Sequence, residues 1–321
     1  MSFELLEENL RNPALLFFIL GIISIQFKSD LEIPPTSSKF ISLYLLFSIG
    51  FKGGQELAHS TVNAEIFFTI VFGLLTAIVI PIYSFFILKK RLTVENSGAI
   101  AAAYGSISAV TFVTAVSFME LQGITFGGHM VAIMALMEAP AIVVGVILVR
   151  KFSNGSVNGG IGTIVKHALT NGSVLLILGS LVIGFLASDK QAEGIAPFTT
   201  DIFKGFLSIF LLDMGISSGK HLKSFLDNGK FTTFFAIFMA LFNGSVAAVL
   251  SGIVTDEVGN RFMLAVLAAS ASYIAVPAAM KIAVPKASPG LYLPMALAIT
   301  FPVNITIGLP IYLFIIQNVS F

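Results

Sequence analysis

The stretch LLFSIGFKGGQEL at residues 45–57 returns as LLDMGISSGKHL at residues 211–222. Leu46, Gly50, Gly54 and Leu57 recur 165 residues later as Leu211, Gly215, Gly219 and Leu222. A second stretch repeats at nearly the same offset: Ala102, Ala103, Ser106, Ala109 and Val110 recur 166 residues on as Ala268, Ala269, Ser272, Ala275 and Val276. Looser echoes open and close each half, residues 12–21 against 171–179, and Met134, Ala135, Leu136 and Pro140 against Met295, Ala296, Leu297 and Pro302. The chain is written twice. Weak internal symmetry in an apolar chain marks secondary transporters built from repeats.

Composition places those repeats in a bilayer. Hydrophobic residues are 56% of the chain and charged ones 11%, with a mean hydropathy of +0.95, whereas about 25% of a soluble domain is charged. The net charge of +1 says nothing of nucleic acid or anionic ligands, because in a membrane chain the placement of charges matters more than their sum. The chain has no cysteine, which excludes disulfides, thiolate metal sites and thiol nucleophiles. It has no Trp either, so its 31 Phe and 6 Tyr residues must supply the interfacial rings.

Polar punctuation divides the chain into ten apolar segments, at residues 13–26, 40–53, 65–88, 97–119, 128–149, 171–187, 203–219, 231–255, 262–284 and 291–316. The fold class expected is therefore an all-α polytopic membrane protein with ten transmembrane helices, five in each repeat. Five is odd, so the second copy enters the membrane from the opposite side and the repeats are inverted. Residues 1–150 form the first repeat and 171–321 the second, joined by a linker at 151–170 that contains SNGSVNGG at 153–160.

Basic residues set the orientation. Of the 18 Lys and Arg, 13 fall in the odd-numbered connections, among them Lys28, Lys89, Arg91, Arg150 and Lys230, while Arg11, Lys52, Lys190, Lys204 and Arg261 fall on the other side. The positive-inside rule makes the richer side cytoplasmic, which puts the linker inside and both termini outside. Glu4, Glu7 and Glu8 are the wrong sign for a signal-peptide n-region, in keeping with that orientation.

The fourth and ninth segments carry the candidate chemistry. Each is rich in Ala and is interrupted near its middle by small polar residues, Gly105-Ser106-Ile107-Ser108 in one and Ser270-Ala271-Ser272-Tyr273 in the other. A break frees backbone N–H and C=O groups at membrane depth, tolerable only where they line a cavity or meet a polar partner. Pro277 suits the first turn of a restarted half-helix, and Ser108 can cap the half-helix that holds Thr111. Two half-helix N-termini would then face each other with partial positive charge and free donors, an anion site. The candidate substrate residues are Gly105, Ser106, Ser108, Thr111, Ser272 and Tyr273. Small and hydroxyl residues also serve simply to pack membrane helices, but the same interruption in both copies favours a site.

Two carboxylates lie inside apolar segments. Glu138 precedes Pro140 and reads as a cation ligand or proton relay, or else as a structural hydrogen-bonding group. Asp213 reads as structural, and the repeated glycines as close-packing positions. The histidines, His59, His129, His167 and His221, fall in or beside connections, so no buried serine has an evident base and no enzyme is expected.

These residues support a resemblance. IGFKGG at 49–54, YGSISAVT at 104–111, MEAPA at 137–141, GFLSIFLLDMG at 205–215, AASASYIAVP at 268–277 and PKASPGLY at 285–292 resemble, in order, the cyanobacterial-type sodium-dependent bicarbonate transporter family from about residue 13 onward. The resemblance implies a core domain (helices three to five and eight to ten) moving against a gate domain (one, two, six and seven), with two crossover helices, in a homotrimer. It further implies a bicarbonate anion at the crossovers on Ser106, Ser108, Thr111 and Ser272, sodium as coupling ion, and residence in the bacterial inner membrane.

The chain departs from that pattern at three places. Tyr273 stands where the family has an acidic residue, and Glu138 where it has Asp. Glu138 then becomes the remaining core-domain carboxylate for a cation, with side-chain oxygens of Thr300 and Asn304 beside Pro302 as further ligands. The long cytoplasmic insertion of the family, which contacts a small trimeric signalling protein, is reduced here to about 20 residues at 151–170, so that regulator is not expected. The alternative function is a sodium- or proton-coupled carrier of another small organic anion, its pocket reshaped by Tyr104, Tyr273 and Phe301.

Overall fold

The structure, a computed structural model, describes residues 3–61, 63–153, 162, 163, 166, 170–226 and 229–319. Most of the expected linker, including Asn154 and His167, and the extreme termini lie outside the described residues. Every regular element among the described residues is helical. In chain order they are α1 (Phe3–Leu10), α2 (Pro13–Gln26), α3 (Pro35–His59), α4 (Ala64–Leu88), α5 (Val94–Gly105), α6 (Ala109–Leu121), α7 (His129–Phe152), α8 (Gly172–Leu186), α9 (Asp189–Ala196), α10 (Phe203–Leu226), α11 (Lys230–Leu250), α12 (Val258–Ala269), α13 (Ala275–Ala283) and α14, a continuous helix over Pro289–Asn318. Among the described residues six stretches are long and apolar enough to cross a membrane: Ala64–Leu88, Val94–Leu121, His129–Phe152, Asp189–Leu222, Lys230–Ile253 and Pro289–Asn318.

Local chemistry explains where these helices start. Asn12 accepts from the Ala14 N–H at 3.0 Å with Pro13 in the first turn, Asn63 caps α4 through the Ile66 N–H at 3.1 Å, and Asn171 caps α8 through the Ser173 N–H at 2.9 Å. Each side-chain oxygen satisfies one of the donors that a helix start leaves open.

Three features differ from expectation. α3 is longer than residues 40–53, because its polar first turn is not a loop: Ser38 donates to Asp213 on α10, which also gives Asp213 the structural bond foreseen for it. The short helix α1 is amphipathic and carries no apolar run, while the amphipathic α9 continues through a π-helical turn at Pro197–Asp201 into α10 as the single stretch Asp189–Leu222, so the seventh segment starts well before residue 203. α14 contains two π-helical stretches, Met295–Thr300 and Asn304–Gly308, on either side of the three residues that include Pro302.

The repeated glycines are where backbones touch. α2 packs along α10 and α3 along α8. A Cβ on Gly21 would fall on the Leu212 carbonyl and one on Gly215 on the Phe18 carbonyl; one on Gly54 would fall on the Leu181 carbonyl and one on Gly184 on the Phe51 carbonyl. Only a hydrogen side chain allows helices this close without lipid-exposed gaps. The two contacts use equivalent helices of the two halves, Gly50 and Gly54 of α3 facing α8 as Gly215 and Gly219 of α10 face α2.

A second group surrounds the broken helices. α4 and α7 flank α5, and α12 packs on α11 and α14. Of the most apolar 18 residues of Val94–Leu121, 94% are buried, against 28% in Ala64–Leu88, so the segment that carries the first break is the most enclosed of the six. Bonds between connecting segments fall into two sets that share no segment. In one set His59 meets Asp189, Thr255 and Asn260 donate to Glu65, the Gly127 N–H donates to Asn260 and Gln122 donates to Glu8. In the other Ser153 donates to Glu95 and the Ser288 N–H to Asn96.

Candidate functional site

Both interruptions are breaks in the helix. α5 ends at Gly105, whose missing Cβ leaves room for Pro81 of α4. Ser106 and Ile107 are non-helical, and Ser108 opens α6 by accepting from the Thr111 N–H at 3.2 Å. α12 ends at Ala269, and α13 begins at Ala275 with the Ser272 hydroxyl 3.4 Å from the Val276 N–H. Pro277 falls in the first turn of α13, where a residue without an N–H loses nothing.

The breaks are bonded to each other. The Ser108 N–H donates to the Ser270 hydroxyl at 3.0 Å, and the Ser272 N–H donates to the Ala103 carbonyl at 2.9 Å. Two of the donors expected to face an anion are therefore spent on the crossing itself. Those of Ala109 and Val110 have no acceptor among the described residues. Ser270 is the residue that sequence reading passed over, since a hydroxyl in an Ala-rich run gives no sign of which backbone it will meet.

A small cavity of about 20 Å³ lies at the crossing. Ser108, Ser272 and Tyr273 line it from the two breaks, Glu138 from α7, and Leu46 and Ile177 from α3 and α8. The apolar walls from α3 and α8 had no signal in the sequence, because they are ordinary packing residues until the fold turns them inward. Among the described residues no Lys, Arg or His lines the cavity, and Glu138 is its one carboxylic acid. That carboxylate is 7% exposed and has no hydrogen-bond partner among the described residues. A cavity this size holds about one water, so the walls must part for a four-atom anion.

The remaining candidates lie away from the cavity lining. The buried hydroxyls of Ser106 and Thr111 have no partner among the described residues. Thr300 lies 2.6 Å from the Tyr104 hydroxyl and donates to Ala236, while Asn304 donates to the Ala269 carbonyl at 2.9 Å and accepts from Tyr312 at 2.8 Å. Thr300 and Asn304 are thus not gathered with Glu138; they brace the ends of α5 and α12 next to the breaks. Phe301 packs edge-on against Phe18 at 5.6 Å, so of the three aromatic residues expected at the pocket Tyr273 alone lines it.

The sequence model of the Na+-dependent bicarbonate transporter superfamily matches residues 13–317. The chain belongs to that superfamily. A search of curated proteins found no match. A member of the Na+-dependent bicarbonate transporter superfamily is a membrane-embedded transporter, in agreement with the six long apolar helices. Its matched span takes in both helix breaks and Glu138, and leaves α1 ahead of it.

Proposed function

We propose that the protein is a secondary transporter of bicarbonate, coupled to sodium, working by alternating access of α4–α7 and α11–α14 as a core against α2, α3, α8 and α10 as a gate. The observation that carries this reading is the crossing of two broken helices at a cavity lined by Ser108, Ser272 and Tyr273 with Glu138 beside them. Hydroxyls and half-helix N-termini suit an anion that must later leave, since they stabilise it without the deep trap of a buried cation. The small cavity supports a small oxyanion, and its wall is shared by both groups, as alternating access requires.

Sodium rides as cargo rather than as a resident metal. Glu138 supplies the charge for it, an unpartnered carboxylate at membrane depth being costly unless it has work to do. The orphaned hydroxyls of Ser106 and Thr111 at the first break are left for the anion once the cavity walls part, while Thr300 and Asn304 hold the breaks in shape. Tyr273 at the cavity sustains a second reading, a sodium- or proton-coupled carrier of another small organic anion.

The two sets of connection bonds support ten crossings in two inverted repeats, residues 1–150 and 171–321. The set with Glu95, Asn96, Ser153 and Ser288 lies in the Lys- and Arg-rich connections and so on the cytoplasmic side of a bacterial inner membrane; the set with His59 and Glu65 lies outside, with both termini. We further take the protein as a homotrimer without a signalling-protein regulator. Saturable uptake of labelled bicarbonate by proteoliposomes tests the assignment, and its absence in folded protein would remove it.

A further inference from the structure

Glu120, near the end of α6, joins the two groups on the side assigned to the exterior. Lys52 of α3 lies 3.2 Å from one of its oxygens and Lys204 of α10 lies 3.3 Å from the other. Lys52 also stands 5.9 Å from the ring centre of Phe203. Beside these ion pairs is a cavity of about 150 Å³, walled by Ile49, Gly53 and Phe203 from the gate and by Val116, Phe126 and Val131 from the core. It is roomy enough for a small oxyanion with several waters. One carboxylate thus bridges two ammonium groups across a seam that alternating access must open.

Opening the seam changes the charge of its gate wall. While Glu120 is engaged, Lys52 and Lys204 are offset by Glu120 and by Glu56, which lines the same cavity. When the core withdraws Glu120, the gate keeps two positive groups against the single negative charge of Glu56. Ammonium groups are compact point charges that exchange one oxyanion for another readily. Lys52 and Lys204 have side chains 36% and 57% exposed, so solvent eases the exchange and weakens the hold.

We propose that Lys52 and Lys204 form a capture site for the incoming substrate oxyanion, which the Glu120 carboxylate occupies while the seam is closed and vacates as it opens. Glu120 is on this account an internal competitor of the substrate. The capture site rests on the bicarbonate transport proposed above and adds a first stop ahead of the crossing at Ser108 and Ser272.

Opposite substitutions test it. In initial-rate uptake of labelled bicarbonate by proteoliposomes at low salt, Glu120→Gln should lower KM, and Lys52→Gln or Lys204→Gln should each raise it by about fivefold, the scale of one exposed charge contact. Added salt should shrink the lysine effects. KM values that move in one direction in all three variants, or in none, overturn the capture site. A binding readout separates this failure from a failure of the transport assignment. With Thr125→Cys as the single thiol in a chain that has none, bicarbonate should slow labelling by an impermeant thiol reagent, and that protection should vanish in the Lys52→Gln/Lys204→Gln background. Protection absent from both proteins, or equal in both, sinks the site even where uptake is normal.

Discussion

The backbone N–H of Ser272 donates to the carbonyl of Ala103 at 2.9 Å, so the second helix break is held on the last turn before the first. The return bond runs from the Ser108 N–H to the Ser270 hydroxyl at 3.0 Å. Each break thereby consumes a polar group that the other exposes, which is how a membrane interior tolerates two interrupted helices at once. The two halves of the crossing cannot separate without leaving buried groups unpaired.

Ser270→Ala should therefore destabilise the protein although Ser270 is not assigned to substrate. It strands the Ser108 N–H, a loss of about 1–3 kcal/mol. Thermal unfolding of purified protein in detergent should show a lower midpoint, and an unchanged midpoint would mean that the stitch carries no weight.

Ser108→Ala and Ser272→Ala act on the substrate. Each removes a hydroxyl from the cavity wall, and each should weaken bicarbonate affinity by about 1 kcal/mol or more, the scale of a hydrogen bond to a charged partner. Ser108→Ala also loses the cap on Thr111, so Ser108→Asn, a good cap, separates helix stability from binding. Affinity preserved in both alanine variants would move the anion elsewhere.

The glycine contacts make a stability prediction of their own. Gly54→Val and Gly215→Val place side-chain carbons on the Leu181 and Phe18 carbonyls, and overpacking of this kind costs about 1–3 kcal/mol or more. Both variants should lower the unfolding midpoint, whereas Gly172→Val, at a glycine with open space beside it, should be tolerated. Equal tolerance at all three positions would contradict close packing of α3 on α8 and of α2 on α10.

Much of this was legible in the residues. Gly105 to Ser108 and Ser270 to Tyr273 announce their breaks because small hydroxyl residues and a following Pro277 weaken a helix locally, and Ser108 announces its cap by position. The glycines at 50, 54, 215 and 219 announce packing but not the partner, since a missing Cβ does not say which backbone fills the space. The wall residues Leu46 and Ile177, the Ser270 stitch and the π-helical stretches of α14 were silent, being products of tertiary approach rather than of local preference. The partners of Thr300 and Asn304 were silent too, because proximity to Pro302 in sequence gives no direction, and their side chains bond to Tyr104 and to the Ala269 carbonyl.

Sidedness is open to cysteine labelling, free of background because the chain has no cysteine. Glu193→Cys on α9 and Lys90→Cys after α4 are both at exposed positions. An impermeant thiol reagent applied to intact cells should label Glu193→Cys and spare Lys90→Cys until the membrane is opened. The reverse pattern would invert the proposed orientation.

The most direct measurement is uptake of labelled bicarbonate into proteoliposomes with and without an imposed inward sodium gradient, for the unaltered chain and for Glu138→Gln. The unaltered protein should accumulate bicarbonate saturably, faster and further with the gradient, and Glu138→Gln should lose that dependence while remaining folded. Accumulation that follows a proton gradient and ignores sodium would make Glu138 a proton carrier. Sodium-driven accumulation that survives Glu138→Gln, or no saturable uptake by the folded unaltered chain, would contradict the account.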